Sequence, residues 1–120
     1  MRQPIQYAFT YPDRVYLENM SFDFMKHSTL EFEKPDLDKF KCIKLAYDAL
    51  KLGGNSFAVL NVSNDLAVRL FLKEKISFNM ISKIVENSLK ANKLILNPTL
   101  DEIYETINWT KNYVKSKYII

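Results

Sequence analysis

The sequence predicts a mainly α protein: a four-helix bundle over residues 36–120, preceded by a short helix and two short strands. Three observations lead there. After residue 36, apolar residues recur at steps of three and four over long stretches, the spacing of amphipathic helices. The breaks between those stretches carry cap residues, at Gly53-Gly54-Asn55-Ser56, Ile76-Ser77-Phe78-Asn79 and Asn97-Pro98-Thr99. Strict period-two alternation occurs only ahead of them, in Ser21–Phe24 and Thr29–Glu33.

Residues 1–12 open with Pro4, which suits the first turn of a short helix, and close with Pro12, which ends it. Ile5, Ala8 and Phe9 then share one side. So short a helix cannot stand alone in water. The alternating runs that follow place Phe22 and Phe24, then Leu30 and Phe32, on one face each, and Pro35 closes the second run. Two short strands with one apolar face are marginal by themselves. His27, between the runs and without a Cys, Asp or second His beside it, reads as a surface residue.

Asp36 is placed to cap a first long helix over 37–52, with Phe40, Ile43, Ala46, Tyr47 and Leu50 on its apolar stripe. The chain's two glycines, Gly53 and Gly54, stand where a left-handed C-terminal cap belongs, and Asn55 or Ser56 can accept the free amides of the next helix. That next helix, over 56–73, carries Phe57, Leu60, Asn61, Asn64, Ala67, Val68 and Phe71 on one stripe. The pair reads as a helical hairpin. A third helix, over 80–92, turns Ile81, Ile84, Val85 and Leu89 inward. Thr99 with Glu102 forms a capping box for the fourth, in which Leu100, Ile103, Tyr104, Ile107, Val114 and Tyr118 face the core and Trp109 and Tyr113 flank it.

Composition narrows the function classes. At 48% hydrophobic and 26% charged residues the chain is globular rather than disordered. Its +3 charge comes from 17 basic and 14 acidic residues mixed along the sequence, too weak a field to imply nucleic acid. Lysine groups such as Lys39, Lys41 and Lys44, or Lys111, Lys115 and Lys117, read as solvated helix faces. Cys42 is single and lies inside a helical pattern, so no disulfide framework is expected and a buried, inert thiol in a reducing, cytoplasmic setting is. No apolar run approaches a membrane span, and no signal peptide is read at the N-terminus.

A search for chemistry returns little. One Gly-Gly pair makes no phosphate loop, and one His with one Cys makes no zinc set. The acidic pairs Asp36 with Asp38 and Asp101 with Glu102 sit at helix starts, where dipole compensation accounts for them. The unusual feature is the amides in the second stripe. Asn61 and Asn64, with the neighbouring Asp65, are expected to form a structural polar network across helices, the alternative being contact with a ligand.

The opening Met1-Arg2-Gln3-Pro4-Ile5-Gln6-Tyr7-Ala8 and Tyr11-Pro12-Asp13-Arg14, Phe24, Leu30-Glu31-Phe32 with Pro35-Asp36, Cys42-Ile43-Lys44-Leu45-Ala46-Tyr47 with Gly53-Gly54, Leu60-Asn61-Val62-Ser63-Asn64-Asp65, and Pro98-Thr99-Leu100-Asp101-Glu102-Ile103 with Trp109 together resemble the C-terminal part of the 1-deoxy-D-xylulose 5-phosphate reductoisomerase family. The resemblance spans the whole chain. It implies that residues 1–35 are the end of an α/β catalytic domain and its linker, whose strands add to that domain's sheet, and that residues 36–120 are the C-terminal four-helix bundle domain. The full enzymes of the family rearrange 1-deoxy-D-xylulose 5-phosphate and reduce the product to 2-C-methyl-D-erythritol 4-phosphate, in non-mevalonate isoprenoid biosynthesis. They use NADPH as hydride donor and a divalent metal, Mg or Mn, as Lewis acid.

The family's glycine-rich nucleotide loop, Asp-Ser-Glu metal motif and phosphate-holding residues all precede the stretch that this chain resembles. No catalytic or metal-binding residue is therefore carried over, and no cofactor is expected on this chain alone. Met1 matches a family residue near substrate and nicotinamide, in an Asp-Met-Arg run. Val62, Ser63 and Asp65 stand where the family usually has Ala, Ala and Glu. The implied partners are the N-terminal and catalytic portions of a reductoisomerase, supplied separately if need be, within a homodimeric family that binds neither nucleic acid nor membrane. The alternative is a free-standing helical interaction module derived from that domain, using its exposed phenylalanines on a partner.

Overall fold

In the computed structural model, which describes residues 2–16 and 22–118, the chain runs through α1 (Arg2–Thr10), α2 (Lys41–Leu52), α3 (Ser56–Leu72), α4 (Phe78–Ala91) and α5 (Leu100–Tyr118). It divides into two units, Met1–Lys34 and Pro35–Ile120. Among the described residues no helix is long and apolar enough to cross a membrane.

The first unit is made of local contacts. Thr10 Oγ1 donates to the carbonyls of Gln6 and Asp13, and Gln6 Nε2 donates to Val15 O at 2.7 Å, which folds the chain back after α1. Tyr7 and Tyr11 meet edge to face, with the Arg14 guanidinium 5.1 Å from the Tyr7 ring. No side chain of α1 is buried, and Phe9 and Phe32 are each 88% exposed. The two expected strands do not form among the described residues. After Phe22, Asp23 Oδ1 accepts from the amides of Met25 and Lys26 and Asp23 O from that of His27, which bends the chain into a turn, and 28–35 forms neither helix nor strand. A strand exists only when its amides and carbonyls pair with another, and the described residues of this unit supply no second edge. Ser21, at the start of the first run, lies outside the described residues.

In the second unit α3 packs against all three other helices. It contacts α4 most extensively, α2 leans on that central pair, and α5 closes on α3 and α4 without touching α2. Its buried residues are Ser56, Val59, Ser63, Ala67 and Leu70, at steps of three and four. Most are small. A helix surrounded on three sides brings backbones close, so small side chains take the contact line and larger ones stand to either side. Ala67, Leu70, Ile81, Ile84 and Val114 form the central cluster, with Leu66, Val68, Ile76, Met80, Tyr113 and Tyr118 packed around it. Fully burying Ile84 and Val114 contributes about 1.5–3 kcal/mol each.

This arrangement corrects two of the expected stripes. In α2 only Ala49 is buried, while Ile43, Ala46, Tyr47 and Leu50, and Phe40 just ahead of the helix, are exposed. In α3 the inward line is displaced by one residue from Phe57, Leu60, Asn61, Asn64 and Phe71, and only Ala67 is common to both. In α4 the expected Ile81, Ile84 and Val85 are buried, joined by Ser88. In α5 Val114 is buried as expected, but Thr106 and Thr110 complete the line and Leu100 and Tyr104 face outward.

Helix ends follow the sequence more closely. Both glycines adopt positive φ, and the Gly53 amide donates to Ala49 O. Thr99 and Glu102 make the reciprocal capping box, with Thr99 N donating to Glu102 Oε2 at 2.7 Å and Glu102 N to Thr99 Oγ1 at 3.3 Å. Asp36 does accept two amides, those of Asp38 and Lys39, but these close a single turn; the chain bends at Phe40 and α2 starts afresh at Lys41. After α3, Lys75 N donates to Leu70 O and Glu74 N to Phe71 O, a Schellman cap in which Glu74 takes the left-handed position at φ 57°. No glycine marks this turn in the sequence.

Candidate functional site

The polar centre of the second unit is Asn55. Asn55 and Ser56 are the two alternative caps of α3 that the sequence offers; Asn55 instead makes no side-chain cap bond and reaches away from its own helix. Its Nδ2 donates to Thr106 Oγ1 at 3.1 Å, Lys93 O at 3.1 Å and Asn92 Oδ1 at 3.4 Å, and its Oδ1 accepts from Ile95 N and Asn92 Nδ2, each at 3.1 Å. One amide thus joins the turn before α3, the α4–α5 loop and the body of α5. It is 1% exposed. Such a group is stable only because its donors and acceptors are all engaged. Ser56, Ser63, Ser88, Thr106 and Thr110 are satisfied more simply, each donating to a carbonyl of its own chain three, four or seven residues back.

The amides singled out from the sequence lie elsewhere. Asn61 and Asn64 are exposed, and no described hydrogen bond joins either to another helix. Asp65 is also exposed and pairs along its own helix with Arg69, Nη2 to Oδ2 at 2.9 Å. The cross-helix network expected of these three is built by Asn55, Asn92 and Thr106. The misplacement has one cause: with apolar residues on several sides of α3, periodicity admits two neighbouring stripes, and packing against α4 and α5 selects the one with Ser63 and Ala67. Nothing in the sequence pattern distinguishes Asn55 from an ordinary cap residue. Met1 lies outside the described residues.

Among the described residues, four open clefts mark the surface of this unit; one, about 440 Å³, is lined by Asn61, Asp65, Arg69 and Lys111 among others. Of the other three, the first, about 220 Å³, sits over the Asn55 network and is lined by Lys93, Glu102, Glu105 and Trp109 among others. The second, about 290 Å³, is charged, with Lys41, Lys44, Asp48 and Glu86 on its walls. The third, about 220 Å³ and mainly apolar, lies between Phe40, Val68, Phe78 and Ile81, with Asn64 on its rim. Near it, Cys42 is exposed rather than buried as expected, yet enough protein surrounds its thiol that desolvation raises its pKa, which disfavours the reactive thiolate.

Elsewhere the ionisable groups are held by local partners. Hydrogen bonds from the Thr99 amide and hydroxyl lower the Glu102 pKa, and the bond from Lys90 lowers that of Glu86. Among the described residues no three His, Cys, Asp or Glu side chains converge as metal ligands do. Among the described residues no Ser, Cys or Tyr nucleophile has a base hydrogen-bonded beside it, and the Thr99 hydroxyl that donates to Glu102 serves the α5 cap.

Comparison with known proteins bears on what is docked. A family model described as DXP reductoisomerase C-terminal domain matches residues 1–113. The 1-deoxy-D-xylulose 5-phosphate reductoisomerase of Thermoanaerobacter pseudethanolicus is 48% identical over 120 residues, covering 99% of this chain and 31% of that protein. The one from Chloroherpeton thalassium is 44% identical over 117 residues, covering 98% and 30% respectively. Among solved structures, a 1-deoxy-D-xylulose 5-phosphate reductoisomerase from Zymomonas mobilis in complex with NADPH is similar with a TM-score of 0.81 and 34% identity, over 96% of this chain and 30% of that one. A DOX-P reductoisomerase in complex with magnesium is similar with a TM-score of 0.80 and 32% identity, over 96% and 31%. This chain spans about a third of the length of the curated relatives it matches.

Proposed function

The chain belongs to the family of DXP reductoisomerase C-terminal domains, and on that premise we propose that it serves as the helical C-terminal part of a 1-deoxy-D-xylulose 5-phosphate reductoisomerase. The assembled enzyme would convert 1-deoxy-D-xylulose 5-phosphate to 2-C-methyl-D-erythritol 4-phosphate for isoprenoid synthesis. The observation that supports this reading is the similarity of 96% of the chain to 30% of a reductoisomerase in complex with NADPH.

In this reading residues 1–35 are the last segment of a catalytic domain with its linker, and residues 36–120 the bundle. The exposure of Ile5, Phe9, Phe22, Phe24, Leu30 and Phe32 supports that assignment, since a segment that buries no side chain among its described residues gains its fold by lying on a larger body. The described residues do not fit a divalent metal or a dinucleotide: no three acidic, His or Cys side chains among them converge, and Gly53 and Gly54 terminate a helix. NADPH and magnesium, the groups held by the two similar structures, are assigned to the preceding portion of the enzyme. Met1 would then stand at the edge of the substrate site. A homodimer in the cytoplasm completes the proposal.

The test compares two proteins. The isolated chain is expected to show no oxidation of NADPH with 1-deoxy-D-xylulose 5-phosphate and Mg²⁺. A chimera carrying the preceding two thirds of the T. pseudethanolicus relative followed by this chain is expected to turn over. An inactive but folded chimera would favour the alternative, a free-standing interaction module.

A further inference from the structure

We propose that the cleft over the Asn55 network is a binding site for a guanidinium group, held between the open side of the Trp109 indole and the carboxylates of Glu102 and Glu105. Glu102, Glu105, Thr106 and Trp109 follow one another at steps of three, one and three, so α5 presents them on one face. All four line the cleft. Tyr113, one turn further along, stacks on Trp109 with ring centroids 5.3 Å apart and planes at 20°, and it is not a wall of the cleft. The cleft therefore meets the indole from its other side.

Charge and shape decide the occupant. Glu102 Oε2 accepts from the Thr99 amide and hydroxyl, which also lower its pKa and keep it ionised at neutral pH, while its Oε1 has no described partner. Glu105 is exposed and makes no described hydrogen bond or ion pair. Lys93 is the cation among the lining residues, and it forms no described ion pair with either carboxylate. The walls thus carry two carboxylates against one ammonium. The floor adds no competing donor, because Asn55 and Thr106 are bonded to each other and Thr106 Oγ1 donates to Glu102 O. The described residues bring no third acidic, His or Cys side chain to the pair, as a divalent metal needs, so an organic cation fits. A guanidinium is planar, lies on an aromatic face and donates two parallel N–H bonds to a carboxylate, which a compact ammonium does not. With a volume of about 220 Å³ the cleft admits one group the size of a side chain.

The inference stands apart from the reductoisomerase reading, and its test uses the whole chain without turnover. Trp109 is the chain's single tryptophan, so its fluorescence reports on the site directly. Titration with N-acetyl-arginine amide is expected to change that fluorescence saturably, half-maximally near about 1 mM as suits so few contacting atoms. The neutral N-acetyl-citrulline amide, of the same shape, is expected to give no saturable change. Glu105→Gln, at an exposed side chain without a described partner, is expected to weaken binding roughly fivefold. Glu33→Gln, the same loss of charge in the other unit, is expected to change it less than about twofold. Ethylguanidinium separates the sources of the group: half-saturation equal to that of the blocked arginine assigns the site to a free guanidinium compound, and weaker binding assigns it to an arginine side chain of a peptide. No saturable change with either compound, an equal response to the citrulline, or a half-saturation that Glu105→Gln leaves unmoved overturns the proposal.

Discussion

Asn55 and Ile95, forty residues apart, hold each other twice: the Asn55 amide donates to the Ile95 carbonyl at 3.0 Å, and the Ile95 amide donates back to Asn55 Oδ1 at 3.1 Å. The pair fixes the α4–α5 loop against the start of α3, and Thr106 and Lys93 extend it through Asn55 Nδ2.

Replacing Asn55 by Ala removes every side-chain bond at once and leaves Ile95 N and Lys93 O to find other partners. The Asn55→Ala chain is expected to lose roughly 2–4 kcal/mol in urea denaturation. Asn55→Asp keeps the acceptor but loses the donor and buries a carboxylate. Burial raises its folded pKa above the unfolded value, so the stability that the protonated form provides is present below about pH 4 and lost as pH rises through the folded value. The deficit of Asn55→Asp against the parent chain should therefore shrink on acidification, while that of Asn55→Ala should not.

Gly54→Ala should cost more than Gly53→Ala. Both positions have positive φ, 58° and 68°, and Gly53 with ψ −158° lies in a region almost reserved for glycine, so each substitution strains the backbone by about 1–3 kcal/mol. A methyl on Gly53 meets open space, but on Gly54 it overlaps the Ile95 carbonyl. That carbonyl cannot retreat without breaking the Asn55 pair. Thermal melts of the two variants give the order.

Glu74 presents the opposite case. It occupies the left-handed position of the α3 cap at φ 57° with an exposed side chain. Glu74→Gly is expected to stabilise the chain by roughly 0.5–1 kcal/mol, as the relieved strain exceeds the added freedom of the unfolded state. A lowered Tm in this variant would contradict the assignment of the cap.

At the α5 start, Thr99→Ala is expected to cost about 1 kcal/mol. Glu102 has its pKa lowered by the Thr99 hydrogen bonds. A lowered folded pKa contributes stability above the unfolded value and loses it as pH falls through the folded one. The difference between the parent and Glu102→Gln should thus be seen at neutral pH and vanish in acid, measured by urea midpoints across that range.

Asn61→Ala, Asn64→Ala and Asp65→Ala should each change stability by less than about 1 kcal/mol, because all three side chains face solvent and the Asp65–Arg69 pair is an exposed one. A larger loss at Asn61 or Asn64 would restore the buried network that the sequence pattern suggests.

Local chemistry explains which features were legible beforehand. The positive-φ Gly53-Gly54 break and the Thr99–Glu102 box depend on residues within one turn of each other and form as expected, and of the expected inward line of α4 Ile81, Ile84 and Val85 are buried. The Glu74 cap was hidden because a non-glycine residue fills its left-handed site. The strands read into Ser21–Phe24 and Thr29–Glu33 needed a second edge, which no local pattern can supply.

By itself the sequence determined that residues 36–120 make four helices, where most of them end, and that the chain has the family's order of motifs. Only the tertiary structure decided which side of α2 and α3 turns inward. Both helices carry apolar residues on more than one face, so burial alone does not rank the faces. Close approach does: three helices crowd against α3, only Ser56, Ser63 and Ala67 let the backbones meet, and Ala49 does the same for α2. The larger residues of α2 are thereby left outside, and Asn55 is drawn in to tie the loop that the packing brings to it.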